Sequence, residues 1–175
     1  MIKFFIEPNY DVKAPVRDAG NAGVDFFIPN YSEAFIKAFN EKNSEKNANL
    51  IKLDKDYAIR IEPHGRANIP SGIRSYISPN VALEAQNKSG IATKHGLTYG
   101  ASVVDANYQG IIHISLINTT DEPVFLSLGT KAVQFIPRII DISPIEVSNT
   151  VSLEEFYKDF EFSNRGEGAF GSTGV

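Results

Sequence analysis

The last eleven residues of the chain carry groups that could bind a nucleotide. The segment 165–175 contains four glycines, and glycine lets backbone N–H groups approach phosphate oxygens closely. Arg165 could bind a phosphate through two parallel hydrogen bonds, and Phe170 could stack on a base. Ser172 and Thr173 would add hydroxyl donors. Composition alone nevertheless favours a solvated chain terminus.

Two internal segments add a cation and a carboxylate. Lys88, Ser89 and Gly90 follow a strand-like run and could hold a phosphate, but taken alone they are more typical of a plain turn. Asp105 follows two valines, where a carboxylate could be positioned as a general base. Tyr108 comes three residues later. Taken singly, a turn-capping aspartate and an ordinary aromatic residue explain this pair more simply.

The rest of the composition argues against several other kinds of functional site. The chain has no cysteine, which excludes disulfides, thiol nucleophiles and Cys-ligated zinc. His64, His95 and His113 lack the spacing of metal ligands and are interpreted as structural. The formal net charge of −4 disfavours binding to a nucleic-acid polymer, because such a protein must neutralise phosphates.

The elements that must position these groups are mostly short strands. Runs of β-branched and alternating residues, bounded by Pro, Gly, Ser or Asn, are typical of a sandwich, jelly roll or barrel. The predicted strands cover residues 3–6, 22–28, 57–61, 67–69, 72–77, 81–85, 111–117, 124–128 and 132–136. A chain of 175 residues is long enough for one such domain with a real core.

Two segments interrupt the strand pattern with helical spacing. The first is 31–43, with an apolar face and Ser32 as N-cap, followed by a polar stretch through Asn49 that is expected to be an exposed loop. The second is 152–160, which begins with a capping-box pattern. The first apolar run is too short for a signal peptide and no stretch would span a membrane, so we expect a cytoplasmic protein.

Placed in order, these pieces resemble the five sequence motifs of the trimeric dUTPase family. The resemblance covers nearly the whole chain except residues 31–55, and its third and fifth motifs are the specific ones. The five matching segments are 22–26, 87–96, 100–110, 129–136 and 165–174.

The resemblance implies a fold and an assembly. It implies an all-β, jelly-roll-like (β-clip) domain over residues 1–163, with one short helix inserted within 31–55. Residues 164–175 would form a flexible, glycine-rich arm that closes over a neighbouring subunit's site in a homotrimer.

The resemblance also implies an activity, the hydrolysis of dUTP to dUMP and pyrophosphate with Mg2+ as cofactor. Water would attack the α-phosphorus, activated by Asp105, and Tyr108 would pack against the deoxyribose. The triphosphate would hold the Mg2+, so no direct metal ligand is expected, and Asp25 would lie near the metal's water shell or support the site from behind. The implied substrate-binding residues are Lys88, Ser89, Gly90, Gly100, Ser102, Val103, Tyr108, Gln134, Arg165, Phe170, Gly171, Ser172 and Thr173.

The chain departs from the family pattern at a few of these positions. Lys88 replaces the usual arginine, which keeps the charge but loses the planar fork, so we expect weaker or re-angled phosphate contact. Ser102 replaces a glycine and adds bulk where uracil would be distinguished from other bases. Thr130 and Lys131 replace an Asp-Arg pair.

Two other functions compete with this interpretation. dCTP deaminases, on a related fold, need a glutamate where this chain has Ser115, so their proton shuttle would be missing. A non-catalytic, nucleotide-gated interaction module would use the same pocket. The insertion favours such a module mildly, whereas the retained Asp105 argues against it, because binding alone needs no base.

Overall fold

The structure is a computed structural model of the 175-residue chain. It describes residues 1–43, 45, 47–54, 56–147, 149 and 152–158. The chain divides into two compact units, Met1–Ile142 and Ser143–Val175. The boundary expected between residues 163 and 164 lies outside the described residues and stays a prediction.

Short strands make up most of the first unit, as the sequence predicted. The helices are α1 (Glu33–Asn43), α2 (Ser89–His95) and α3 (Leu153–Phe156). The strands are β1 (Ile2–Ile6), β2 (Val24–Phe27), β3 (Ala48–Leu53), β4 (Asp56–Ile61), β5 (Arg66–Pro70), β6 (Ile73–Ile77), β7 (Val81–Asn87), β8 (Leu97–Tyr99), β9 (Val103–Val104), β10 (His113–Asn118), β11 (Val124–Ser127) and β12 (Lys131–Ile139). The expected all-β class is confirmed.

The strands form four small antiparallel sheets with the orders β1-β6, β5-β10-β8, β11-β4-β3 and β2-β12-β7-β9. Alternating burial along β10 shows why the sequence folds this way. Ile114 and Leu116 are buried while His113 and Ser115 on the opposite face are only partly covered. Phe26 of β2 meets Phe135 of β12 edge-to-face, with ring centroids 4.7 Å apart, at the centre of the core.

The inserted helix belongs to the core. Ser32 Oγ accepts a hydrogen bond from Phe35 N at 3.3 Å, as expected of the N-cap. Phe35 and Phe39 are fully buried among the strand residues. At the end of α1, the Asn43 side chain pairs with the backbone of Asn68 on β5 at 2.7 and 2.9 Å. The insertion therefore fills space inside the domain.

The expected exposed loop through Asn49 is wrong at its end, because β3 begins at Ala48 and pairs along its whole length with β4. The polar composition of that stretch concealed the strand, whose pairing comes from a partner further along the chain. The sequence also missed α2, β8 and β9, which are all seven residues or shorter. Helix α2 ends at Gly96, which has a φ of 62° that glycine adopts without strain.

In the second unit, α3 begins as the capping pattern predicted. Ser152 Oγ accepts a hydrogen bond from Glu155 N at 3.2 Å. The predicted helix extended to residue 160, and its last two residues lie outside the described ones. Within the part of the chain that the structure describes, no helix is both long and apolar enough to cross a membrane.

Because α1 is part of the core, we expect Phe39→Ala to lower the free energy of unfolding by about 3–5 kcal/mol through lost burial and a residual cavity. Phe125→Ala is the matched control, since Phe125 is 45% exposed on β11. Urea unfolding of both variants provides the measurement. Equal, small losses would mean that the helix packs loosely.

Candidate active site

Strand β9 and the chain segments on either side of it line a small pocket, which brings together four predicted residues of the third motif. The pocket has a volume of about 180 Å³. Its predicted members are Ser102, Val103, Asp105 and Tyr108, and it is completed by Ala101, Val104, Ile112, His113 and Phe135. Asp105 and Tyr108 are exposed at its edge, whereas Val104 and Ile112 are buried beneath. The pocket thus offers an apolar floor with a carboxylate and a phenol at its rim.

Backbone hydrogen bonds fix the bend that carries Asp105 and Tyr108. Tyr108 N donates to Asp105 O at 3.1 Å, and the Tyr108 hydroxyl donates to Ile111 O at 3.0 Å. Arg74 donates from Nη1 to Gln109 O at 2.6 Å, which ties the bend to β6. The hydrogen bond to Ile111 therefore fixes the Tyr108 ring against the backbone of the turn.

Gly100 lies between β8 and β9, where the close approach of β10 leaves little room for a side chain. A Cβ atom there would lie 2.6 Å from Ser115 Oγ on the neighbouring strand, closer than real Cβ contacts come. Ser102 is held in place by its backbone, since Ser102 O accepts a hydrogen bond from Ala85 N at 2.7 Å. These contacts place Ser102 on the pocket wall next to β7.

His113 is a pocket residue that sequence reasoning missed. The sequence indicates a structural histidine, because it sits in a strand without metal-ligand spacing, yet His113 is one of the residues that line the pocket. Burial, with a smaller contribution from the Lys42 charge, lowers the pKa of His113, and a hydrogen bond to the Ile111 backbone opposes this only in part. The local sequence could not predict that His113 lines the pocket, because the path of the chain before β10 decides which face of that strand meets the pocket.

A second group of predicted residues gathers around Asp25. Asp25 is only 7% exposed as a residue, and its carboxylate pairs with Lys88 Nζ at 2.5 Å and Lys131 Nζ at 3.0 Å. Burial by itself pushes the pKa of Asp25 upward, but hydrogen bonds and charges from the two lysines outweigh it and hold the pKa below its usual value. Lys131 was not among the predicted site residues, although it lies in the fourth motif.

Gln134 lies beside Asp25 because their strands are in register. Gln134 of β12 pairs directly with Asp25 of β2, and its side chain donates from Nε2 to Asn87 O at 3.0 Å. Gly23 permits this, since a Cβ there would collide with the Gln134 side chain. Asn87 in turn accepts a hydrogen bond from Tyr99 N at 2.9 Å. Ser89 and Gly90 follow at the start of α2.

Within one chain Asp105 and Lys88 stand apart. Val104 pairs with Leu83 on β7, and the chain then runs on to Asp105 in the direction away from Lys88. Lys88 lies five residues beyond Leu83, which corresponds to roughly 16 Å at about 3.3 Å per strand residue. The structure therefore brings together the predicted residues as two clusters, and one copy does not join them.

The remaining predictions of the site fall on the chain terminus. Arg165, Phe170, Gly171, Ser172 and Thr173 lie outside the described residues, so their roles stay predictions. Among the residues with described positions, no group of three or more His, Asp or Glu side chains could hold a metal ion.

Comparisons with known proteins identify the family of the chain. The sequence model of the dUTPase family matches residues 36–174. A deoxyuridine 5'-triphosphate nucleotidohydrolase from Haemophilus ducreyi is 32% identical over 122 residues, covering 68% of this chain and 74% of that protein. One from Actinobacillus pleuropneumoniae serotype 3 is 28% identical over 159 residues, covering 89% and 92%.

A solved structure shows the same fold. A mutant dUTPase of Staphylococcus bacteriophage 80alpha with dUpNHpp aligns with a TM-score of 0.69 over 100% of this chain and 99% of that chain, at 17% identity. The predicted jelly-roll-like fold, based on the sequence resemblance, is confirmed.

The lowered pKa of His113 makes stability depend on pH. Below its ordinary value of 6.5 the unfolded chain binds this proton while the folded chain resists it, so the folded state loses stability as pH falls through 6.5. We expect His113→Gln to reduce the loss of stability between about pH 7.5 and 5.5. Thermal unfolding across that range measures it, with His95→Gln, an exposed histidine on α2, as control. Identical pH slopes for wild type and His113→Gln would contradict the assignment.

Proposed function

This chain belongs to the dUTPase family, and we propose how its own residues hydrolyse dUTP to dUMP and pyrophosphate. The observation that carries the proposal is the loop pocket, in which Asp105 and Tyr108 share one rim above an apolar floor. A nucleoside with a small base fits such a pocket, because its faces are apolar and its edges can meet the backbone groups of the loop.

Asp105 is assigned as the general base. Its exposed carboxylate at the rim would orient and deprotonate the water that attacks the α-phosphorus. Tyr108, held by Ile111 O, would press against the deoxyribose and leave no room for a 2′-hydroxyl. Gly100, Ser102 and Val103 would read the base through the backbone of the segment that leads into β9, where Ser102 and Val103 line the pocket.

The Asp25 cluster is assigned to the phosphates. Lys88, Ser89 and Gly90 lie at the end of β7 and the start of α2, and Gln134 reaches Asn87 O from the neighbouring strand β12. A lysine ammonium is a strong point charge for phosphate oxygens. Both oxygens of Asp25 face lysines, which supports a role for it behind the site.

The residues of the Asp25 cluster would hold Mg2+ only together with the phosphates of the substrate. Mg2+ prefers oxygen ligands and usually keeps several waters, with substrate phosphates supplying much of its shell. Among the described residues no cluster of His, Asp and Glu replaces those phosphates. When bound, the ion would neutralise charge on the triphosphate. The two lysines beside Asp25, together with Gln134, would position the triphosphate for in-line attack.

The complete site would be shared between copies of the chain. Since Asp105 and Lys88 stand apart in one copy, the nucleoside pocket of one subunit would meet the phosphate cluster of another in a homotrimer. Arg165, Phe170, Gly171, Ser172 and Thr173 would close over the bound nucleotide from the C-terminal arm. Closure excludes water and strengthens every charged contact inside.

In the cell, this activity would limit uracil in DNA and supply dUMP for dTMP synthesis in the cytoplasm. The nucleotide-gated interaction module is not favoured by the family match, and neither is dCTP deamination.

If Asp105 is the base, Asp105→Asn should lower kcat for dUTP by at least about 100-fold while nucleotide binding persists. The measurement is pyrophosphate release with Mg2+ from dUTP, run beside dCTP, dTTP and UTP. Release from dUTP and dCTP alike would show that Ser102 has relaxed base selection. Unchanged turnover in the variant would remove Asp105 from the mechanism.

If the site is shared between copies of the chain, two inactive variants should restore dUTP hydrolysis when they are assembled together. Asp105→Asn and Lys88→Met should each be nearly inactive, but mixed and reassembled copies should regain up to about a quarter of wild-type activity, since each site needs one intact residue from each of two copies. The double variant assembled alone is the control. Mixed assemblies that form, as judged by light scattering, yet stay inactive would place the whole site within one chain.

A further inference from the structure

An arginine outside the family motifs holds the bend that carries Asp105 and Tyr108. Arg74 lies on β6, and its Nη1 atom donates a hydrogen bond to Gln109 O at 2.6 Å. Gln109 directly follows Tyr108 in the chain. None of the five segments that resemble the family's motifs contains Arg74, so the motifs assign it no role.

The bend is fixed by backbone pairing at both of its ends. At the entry, Val104 pairs with β7. At the exit, Ile112 N donates to a backbone carbonyl of β6 at 2.8 Å. Residues 105–111 lie between these two anchors, and Arg74 reaches them at Gln109. This third attachment restricts the bend near its tyrosine, away from both ends.

Glu7 in turn fixes the guanidinium of Arg74. The Glu7 carboxylate forms an ion pair with Arg74 Nε, a different nitrogen from the one that reaches Gln109. The backbone of Glu7 is also held, because Glu7 N donates to Gly72 O at 2.9 Å and Tyr10 N donates to Glu7 O at 3.0 Å. Two nitrogens of one rigid, planar group are thus engaged at once, which restricts where the guanidinium can point.

The exposure of this ion pair separates positioning from stability. The Arg74 side chain is 43% exposed, and the Glu7 side chain is 22% exposed. An ion pair so open to solvent adds little to the free energy of folding, because water screens its charges. Loss of the Arg74 side chain should therefore leave the fold intact and act on the bend.

On the basis of the proposed function, we propose that Arg74, oriented by Glu7, is a positioning residue for dUTP hydrolysis. By holding Gln109 O, it sets the place of Tyr108 against the deoxyribose and of Asp105 beside the attacking water. Arg74 acts through the bend and contacts neither the substrate nor the water. A small displacement of the bend lowers the rate, because attack on the α-phosphorus depends on the geometry of the reacting groups.

The first test compares the hydrolysis of dUTP with that of UTP. Arg74→Met should lower kcat for dUTP by about tenfold. It should also lower the ratio of kcat/KM for dUTP to kcat/KM for UTP by about tenfold, because a looser Tyr108 leaves room for a 2′-hydroxyl. A merely structural role would reduce the active fraction of the protein and leave this ratio unchanged. Arg74→Lys, which keeps the charge but lacks the planar fork, should recover part of the ratio.

The matched control is Arg60→Met. Arg60 pairs with Glu62 at 3.0 Å and its side chain is 39% exposed, but it lies on β4, in a different sheet. This variant should keep the wild-type preference for dUTP over UTP. Equal losses in Arg60→Met and Arg74→Met would overturn the positioning role, and so would an unchanged preference in Arg74→Met.

A double-variant cycle tests the part of Glu7. Glu7→Gln should shift the preference in the same direction as Arg74→Met, but by less, since the amide can still accept a hydrogen bond. The double variant should be no worse than Arg74→Met alone, because both residues act through one contact to the bend. Additive losses would overturn the orientation of Arg74 by Glu7.

Hydrogen exchange tests the same contact without turnover. The Tyr108 amide donates to Asp105 O at 3.1 Å within the bend, so its exchange rate measures how firmly the bend is held. In the protein without nucleotide, Arg74→Met should speed this exchange by about tenfold, the effect of losing one charge-assisted hydrogen bond, and Arg60→Met should not change it.

The exchange rates also separate this inference from the proposed function. Unaltered exchange in Arg74→Met would overturn the attachment of the bend, even if the wild type hydrolyses dUTP. Faster exchange in Arg74→Met, in a protein whose wild type does not hydrolyse dUTP, would overturn the proposed function and leave the attachment standing.

Discussion

The pairing of β12 with β2 on one side and β7 on the other is the constraint on which the rest of the structure depends. Its register sets Gln134 beside Asp25 and against the end of β7, and so brings three motifs that are distant in sequence into one cluster. The same sheet carries β9 on its far edge, which starts the loop of Asp105. A slip of one residue in β12 would turn every one of its side chains to the other face.

The sheet also separates two groups of residues, the loop pocket and the Asp25 cluster. The loop pocket has an apolar floor, and burial lowers the pKa of His113 on its lining. The Asp25 cluster is polar, with two lysines paired to one carboxylate. Asp105 follows Val104, which pairs with Leu83, whereas Lys88 follows the other end of β7, so one copy of the chain does not bring these two groups together.

Much of the fold could be predicted because its signals are local. The turn residues that bound each strand and the alternation along β10 follow from backbone conformational preference, and the Ser32 and Ser152 caps follow from hydrogen bonding within one turn. The short β3, β8 and β9 could not be predicted in this way. Their pairing energy comes from partners elsewhere in the chain, and β3 is formed from a polar stretch.

By itself the sequence determined the class of fold and the family, because residue types at fixed spacing carry that information, and it predicted Asp105, Tyr108, Lys88 and Gln134 as site residues. Only the tertiary structure decided that α1 lies in the core, that His113 faces the pocket, and that Lys131 shares Asp25 with Lys88. These three facts depend on which faces of separate elements meet, and that is set by strand register and packing over the whole domain.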